Sequence, residues 1–411
     1  MVKLLVLADD FTGSLDTGVQ FRAKGTRIRF GSRNHRYFEH LDEDVQVLIA
    51  DTESRHLPSS EAAAVIRQIV QDAAAAGVRY IYKKTDSGLR GNIGAELSAA
   101  LEASGEPVLH FIPAYPQVGR TTRDGIQYIS GIPVGESVFA KDPFNPVHHS
   151  RVKEIIAEQS LTPVADCGNP LTETGIVVHD AESEADLTAL AIRLQQEDQL
   201  SLLAGCAGFA TVLPELLALE PAEKTTPIFT PRLLTLCGSI NPITLEQLNA
   251  AQAQGVPHIR LTTRQKLEEH WLNTPEGQEI IRSWAQIIQS HPSSIIDCDG
   301  TGHPEELESL QKELGLTLEQ MRCRIAETMG KILKALLDQG VEAVLLITGG
   351  DTLLAAMNRL GQEELTPIRE ITPGVVLSQI CYREKTYHLL SKSGGFGTKH
   401  LLSQLQELIC K

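Results

Sequence analysis

Short apolar runs, polar turns and longer amphipathic stretches succeed one another along the whole chain, and that rhythm predicts βα units built on a parallel sheet. In the first half the runs that read as strands are 3–8, 45–50, 78–82, 108–113, 175–179 and 200–204. Helices are predicted between most of them. Over 14–24, Leu15, Val19 and Ala23 recur at a four-residue spacing and Gly25 supplies a stop. From Leu219 to Pro231 the text turns to LEPAEKTTPIFTP, with three prolines and no period, which reads as a linker. A second series comes after it, with strands near 233–236, 258–261, 294–297 and 343–347 and extended runs at 374–379 and 386–390. The expectation is an α/β chain of two domains, 1–220 and 232–411, joined by 221–231, each a mainly parallel β-sheet flanked by helices. One segment breaks the rhythm. In GRTTRDGIQYISGIPV, Gly119 to Val134, Asp124-Gly125 is a hairpin turn signal followed by alternating residues, so a β-hairpin insertion is placed in the first domain, either capping a site or pairing with a second subunit of a homodimer.

Composition narrows the function classes. A length of 411 residues with 42% hydrophobic and 22% charged residues is that of a well-buried globular chain. The net charge of −15, with no Lys/Arg-rich run, argues against a nucleic-acid partner. Seven cysteines, widely spread and without a CxxC, fit reduced thiols better than a disulfide frame or a zinc site. Met1 leads straight into a strand-like run without a signal-peptide pattern, and no apolar stretch approaches the roughly 18 residues that span a bilayer. A soluble, cytoplasmic protein without a membrane partner is expected.

In open α/β sheets ligands bind beyond the carboxyl ends of the strands, so the residues delivered there carry the chemistry. The first strand delivers Asp9, Asp10, Thr12 and Gly13; the second delivers DTESRHL, 51–57; the third delivers YKKTDSGLRGNIG, 82–94. Adjacent aspartates after a buried strand demand a partner, because an unpaired buried carboxylate costs several kcal/mol. A small sugar acid offers a carboxylate for a guanidinium fork and hydroxyls for carboxylate, serine and threonine groups. Arg55, Lys84 and Arg90 are candidates to hold the anion, and Asp10 or Asp86 to orient or deprotonate a hydroxyl. The second half offers glycines instead. LITGGDTLLAAM (346–357) and LLSKSGGFGTKHLL (389–402) are strand, glycine turn and helix start, and LCGSINPIT (236–244) adds a turn carrying Ser239. Such turns admit a phosphate to the backbone and the helix N-terminus. No GxxxxGK[ST] is present and no GxGxxG follows a strand, which excludes a P-loop and leaves a dinucleotide fingerprint unsupported.

Taken together, ADDFTGSLDTGVQF, DTESRHL, YKKTDSGLRGNIGAEL, the long string from Phe111 to Val147, TGGDT and KSGGFG resemble the four-carbon acid sugar kinases, in particular the D-threonate and D-erythronate kinase branch. The resemblance runs from Leu5 to about Lys399. It implies an ATP-dependent kinase with a sugar-acid-binding first domain and a nucleotide-binding second domain, making the 4-phosphate of a four-carbon acid. Carried over, the substrate side is Asp9, Asp10, Arg55, Lys84, Thr85, Asp86, Ser87 and Arg90, and the ATP side is Ser239, Gly349, Gly350, Asp351, Gly394, Gly395 and Gly397. One departure stands out: where a threonine is common in the family this chain has Gly88, which bears on the stereoisomer accepted.

Phosphoryl transfer needs positioning, charge neutralisation and a base. The expectation is that the domains close around ATP and the acid, that Mg²⁺ bridges the phosphates, and that Asp10 is the base, with Asp351 as rival. An aspartyl phosphatase would need Asp-x-Asp, whereas Asp9 and Asp10 are adjacent and by strand alternation should face opposite ways. A non-catalytic sugar-acid sensor would have no use for three glycine turns.

Overall fold

The structure is a computed structural model that describes residues 2–21, 25–30, 37–142, 145–166, 174–221, 227–298, 304–393 and 395–410. Part of the expected linker and Gly394 lie outside the described residues. The chain divides into two compact units, Met1–Glu223 and Lys224–Lys411.

In the first unit the strands are β1 (Leu4–Ala8), β2 (Thr26–Arg29), β3 (Val47–Asp51), β4 (Tyr80–Lys84), β5 (Val108–Ile112), β6 (Arg120–Arg123), β7 (Ile126–Ile129), β8 (Ile132–Pro133), β9 (Val164–Asp166), β10 (Gly175–Val178) and β11 (Leu202–Gly205). Eight of them form a wholly parallel sheet in the order β2-β3-β1-β4-β11-β5-β10-β9. Its central strands are buried along their length, β1 and β3 completely, as a sheet covered by helices on both faces requires. The apolar faces of helices Ser59–Ala75 and Ile93–Ser104 contribute Ile66, Ile69, Val70 and Leu97, which pack with Leu5, Leu48, Leu109 and Phe111 into one core. The apolar pattern does not predict β2 or β9: TRIR is short and polar, and Val164–Asp166 has three residues. The expected hairpin is present and carries a third strand, β6-β7-β8, antiparallel throughout. Asp180 fixes its tip, accepting from the amides of Asp124 and Gly125 at 2.9 and 3.0 Å.

The first helix runs Phe11–Phe21, three residues earlier than the periodicity indicates. Asp10 Oδ1 accepts the Gly13 amide at 2.9 Å and so satisfies one of the donors that a helix start leaves open.

In the second unit the strands are β12 (Leu233–Cys237), β13 (His258–Arg260), β14 (Ser293–Asp297), β15 (Val344–Thr348), β16 (Glu364–Thr372), β17 (Val375–Tyr382) and β18 (Lys385–Lys392). The order β13-β14-β12-β15-β18 is parallel, and β17 and β16 then add on antiparallel. The pattern does not predict β16 either. Pro367 interrupts its alternation, and its pairing is irregular between Pro367 and Arg369, consistent with the place of proline at bulges and edges. Leu233, Ile295, Leu346, Leu377 and Leu390 form the centre of the core. Among the described residues no helix is long and apolar enough to cross a membrane.

Candidate active site

In the first unit the strand order reverses at β1, whose neighbours are β3 and β4. Such a switch point opens a crevice at the carboxyl ends of the strands. There the loops after β1, β3 and β4 converge. Arg55 sits at the centre: its Nε donates to Asp9 Oδ2 at 2.7 Å, its Nη1 to Asp10 Oδ2 at 2.8 Å, and its Nη2 lies 3.9 Å from Asp86 Oδ1. The expectation that Asp9 and Asp10 face opposite ways is therefore corrected. β1 ends at Ala8, so the aspartates stand past the strand in a turn, where alternation no longer applies, and one guanidinium reaches both. The Arg55 loop is pinned from below: Thr52 Oγ1 donates to the Ala8 carbonyl at 2.8 Å, and Asn92 Nδ2 donates to the carbonyls of Ser54 and Leu57, both at 2.9 Å.

The second guanidinium is equally committed. Arg90 grips Asp86 through Nε (2.9 Å) and Nη2 (3.0 Å) and donates to Asp142 Oδ2 at 3.1 Å. Burial alone would raise the Asp86 carboxyl, but Arg90 and Arg55 outweigh it and hold the group far below the usual carboxylate range. Asp9 obeys the same logic: burial opposes ionisation, and Arg55 with Lys83 overcomes it. Asp51, at the end of β3, has no such cation among the described residues. Burial, together with Glu53 and Asp10, raises its carboxyl well above the ordinary value. Nothing in its sequence context separates this aspartate from its charged neighbours.

Lys83 and Lys84 do alternate, as residues within a strand must. Lys83 turns to helix Ile93–Ser104 and pairs with Glu96 at 2.7 Å, fully buried; Ser54 Oγ also donates to Glu96. Lys84 turns to the other face, toward Gly13, and among the described residues makes no ion pair or hydrogen bond through its ammonium. Thr85 is buried, its amide donating to the Gly205 carbonyl at 2.8 Å and its Oγ1 left without a partner among the described residues. Ser87 is half-buried, its carbonyl accepting from Gln127 of β7 at 3.3 Å.

Gly88 has a structural reason. A Cβ there would stand 2.9 Å from three ring atoms of Phe139, so the ring fills the space that a side chain at this position would use. Arg90 lies over the same ring at 5.1 Å and Arg120 at 5.6 Å. Gln127 belongs to the hairpin itself, and Phe139 and Asp142 to the segment just C-terminal to it. The sequence offers no sign of which of them would reach the strand ends.

In the second unit the order reverses at β12, between β14 and β15, and the loops after β12, β15 and β18 carry the glycines. The Gly238 amide donates to the Thr348 carbonyl at 2.9 Å. Gly349 has φ 103° and lies so close that a Cβ would be 3.2 Å from the Gly238 carbonyl carbon; only glycine takes this conformation readily. Helix Gly350–Arg359 starts at once, with Asp351 in its first turn. Asp351 is half-exposed and ion-paired with Arg322. Gly395 and Gly397 belong to the turn after β18, where Gln247 Nε2 donates to the Phe396 and Thr398 carbonyls at 3.0 Å each. Ser239 Oγ accepts the Asn241 amide at 3.3 Å, just ahead of helix Pro242–Ala253. Lys392, at the end of β18, is a residue that sequence reasoning missed, since nothing in the glycine motif around it marks it as buried. Its Nζ donates to Thr244 Oγ1 at 3.0 Å and to the Ser393 carbonyl at 3.1 Å, and burial brings its ammonium down to about 8.

Comparison with known proteins agrees with this division. A sugar-binding N-terminal domain model matches residues 4–213 and a nucleotide-binding C-terminal domain model matches 234–402. The D-threonate kinase of Salmonella typhimurium is 28% identical over all of both chains. That of Bordetella bronchiseptica is 29% identical over 98% of this chain and 96% of its own. The D-erythronate kinase of Heliobacterium modesticaldum is 25% identical over 91% and 89%. Solved structures from Salmonella typhimurium and Haemophilus influenzae share the fold, with TM-scores of 0.77 and 0.71 at 21% and 20% identity, covering 99% and 98% of this chain and all of theirs. A first unit whose strand ends carry paired charges and a second whose strand ends carry glycine turns thus have the two matched domains in order, and the chain belongs to the four-carbon acid sugar kinase family.

Proposed function

We propose that the chain transfers the γ-phosphoryl group of ATP to the 4-hydroxyl of D-threonate or D-erythronate. The observation that carries the reading is the convergence of Asp9, Asp10, Arg55, Asp86 and Lys84 at one switch point, in a chain whose relatives over nearly full length are kinases of these acids. In this reading Asp10 takes the proton of the attacking hydroxyl, held in place by Arg55 and by its bond to the Gly13 amide. Asp86, kept ionised by Arg90 and Arg55, accepts from a neighbouring hydroxyl. Ser239 and the turns at Gly349-Gly350 and Gly395–Gly397 hold the phosphates.

Mg²⁺ in such sites needs only one or two protein carboxylates beside the phosphates. Asp351, half-exposed beside the Gly349-Gly350 turn, would meet that need by exchanging its ion pair with Arg322, while no cluster of three or more metal-ligating side chains exists among the described residues. When bound, the ion supplies charge neutralisation on the phosphates. A second reading, a 3-oxo-tetronate 4-kinase, is favoured by 27% identity to the 3-oxo-tetronate kinase of Burkholderia multivorans over 95% of this chain. An ATP-turnover screen of D-threonate, D-erythronate, their L forms and the 3-oxo acid decides between them. No phosphorylation of any of these would overturn both.

A further inference from the structure

The two arginines that sequence alone nominates for the substrate carboxylate are already neutralised: Arg55 by Asp9 and Asp10, Arg90 by Asp86 and Asp142. An incoming carboxylate would have to compete with ion pairs formed at 2.7 to 3.1 Å. Arg120, the first residue of β6, is in the opposite condition. It makes no ion pair among the described residues. Its Nη1 donates to the Val118 carbonyl at 2.9 Å, and its Nε is buried with no partner among them. A buried guanidinium nitrogen left unbonded costs free energy and marks a place where an acceptor fits.

The surroundings put that nitrogen beside the acid site. Arg120 shares the Phe139 ring with Arg90, feels the charges of Asp86 and Arg90, and lies near Cys206, the residue that follows β11. Lys84 acts on the same Asp86 and Cys206, and its ammonium too makes no direct ion pair among the described residues. A planar, five-donor fork backed by an aromatic ring, with an ammonium in the same neighbourhood, suits a small carboxylate.

We propose that Arg120, with Lys84, binds the carboxylate of the four-carbon acid, leaving Arg55 and Arg90 to hold the aspartates that meet its hydroxyls. The proposal rests on the sugar-acid reading of this unit. It assigns the hairpin a direct part in recognition, since β6 carries the fork to the strand ends.

The test pairs a change in the protein with a change in the ligand. Acid KM, ATP KM and kcat are measured for wild type, Arg120→Ala and Arg120→Lys on the best acid of the screen, and binding of that acid and of its uncharged four-carbon polyol is compared by calorimetry. Arg120→Ala should weaken acid binding by about 10- to 100-fold, the loss of a charged hydrogen-bonded contact. ATP KM should hold, and the preference for acid over polyol should shrink by the same factor. Arg120→Lys, which keeps the charge and guards against a folding defect in the alanine variant, should recover part of the loss. Unchanged acid affinity in Arg120→Ala, equal losses of acid and polyol, or a rise confined to ATP KM would each overturn the assignment. If wild type binds no four-carbon acid, the sugar-acid reading falls with it; if wild type binds and the variants match it, only the Arg120 assignment falls.

Discussion

The two units solve ligand binding in opposite ways on related sheets. At the switch point of the first, charged side chains face one another: Arg55 and Arg90 each hold two carboxylates, and Lys84 stands unpaired among the described residues. At the switch point of the second, the strand ends carry backbone: the Gly238 amide meets the Thr348 carbonyl, Gly349 takes a positive φ, and a helix begins one residue later. Side-chain charge suits a ligand told apart by the positions of its hydroxyls and carboxylate. Backbone amides suit a phosphate, which is the same in every nucleotide. Substitutions in the first unit should therefore change which acid is used and how fast, and substitutions in the second should change nucleotide affinity and leave the acid alone.

The largest expected effect tests the first half of that statement. Asp10→Asn keeps the shape and the contact with the Gly13 amide but removes the proposed base, and kcat should fall by roughly 100- to 10,000-fold with ATP KM nearly unchanged. Steady-state kinetics on the preferred acid measure it. Near-normal kcat in this variant, with Asp351→Asn inactive, would move the base into the nucleotide unit and reverse the comparison.

The next largest concerns stability and separates the units by pH. In the first, His110 Nδ1 lies 2.9 Å from His179 Nε2, with Arg193 3.3 Å from the other nitrogen of His179. Burial, reinforced by Arg193, lowers His110 to about 4, and burial, reinforced by His110 and Arg193, lowers His179 to about 3. Both are neutral in the folded state down to those values, whereas unfolded histidine takes up a proton near pH 6.5. Between about pH 6.5 and 4 the unfolded chain binds more protons, so stability falls as pH falls, by at most roughly 3 kcal/mol per histidine. A His110→Asn/His179→Gln variant should melt with a flatter pH profile over that window. A wild-type profile already flat there would show that the pair does not resist protonation.

How much of the molecule is legible in its sequence depends on the same contrast. Strand ends are sequence-local, so Asp10, Arg55, Asp86, Gly349 and Gly397 can be picked out from the turns that follow apolar runs. Their partners are not local: Glu96 reaches Lys83 from the next helix, Asp142 comes to Arg90 across 52 residues, and the Phe139 ring explains Gly88 from a short helical turn with no periodic signal. Arg120 sits inside a motif without distinction because an arginine's lack of a counter-ion is a property of the fold. The strands that escape reading, β2, β9 and β16, are those too short, too polar or too interrupted by proline to carry an apolar period.

A smaller effect probes the second unit through its backbone. Gly349→Ala forces a methyl group into a φ of 103° and against Gly238, a strain of roughly 1 to 3 kcal/mol. It should emerge as a drop of about tenfold or more in ATP affinity by calorimetry, with acid affinity unchanged. Equal losses for both ligands would show that the turn supports the whole fold.

The smallest effect lies with Lys392, a charged side chain buried beneath the glycine turns. Burial lowers its ammonium to about 8, while its Nζ donates to Thr244 Oγ1 and the Ser393 carbonyl. The sign is opposite for stability and for nucleotide binding. Below pH 8 both folded and unfolded chains hold the proton, and the cost of burying the charge is present in full. As pH rises from about 8 toward about 10.4 the folded chain releases its proton first, so stability rises. A phosphate bound above the turns would favour the charged ammonium, so ATP should bind with uptake of a fraction of a proton above about pH 8, and its affinity should weaken by a few fold between about pH 8 and 9. Calorimetry in two buffers of different ionisation enthalpy reads the uptake directly. Lys392→Met should abolish both the uptake and the pH dependence while raising stability below about pH 8. Uptake that persists in that variant would place the titrating group elsewhere, and the second unit would then bind its nucleotide through backbone and helix starts with no help from this side-chain charge.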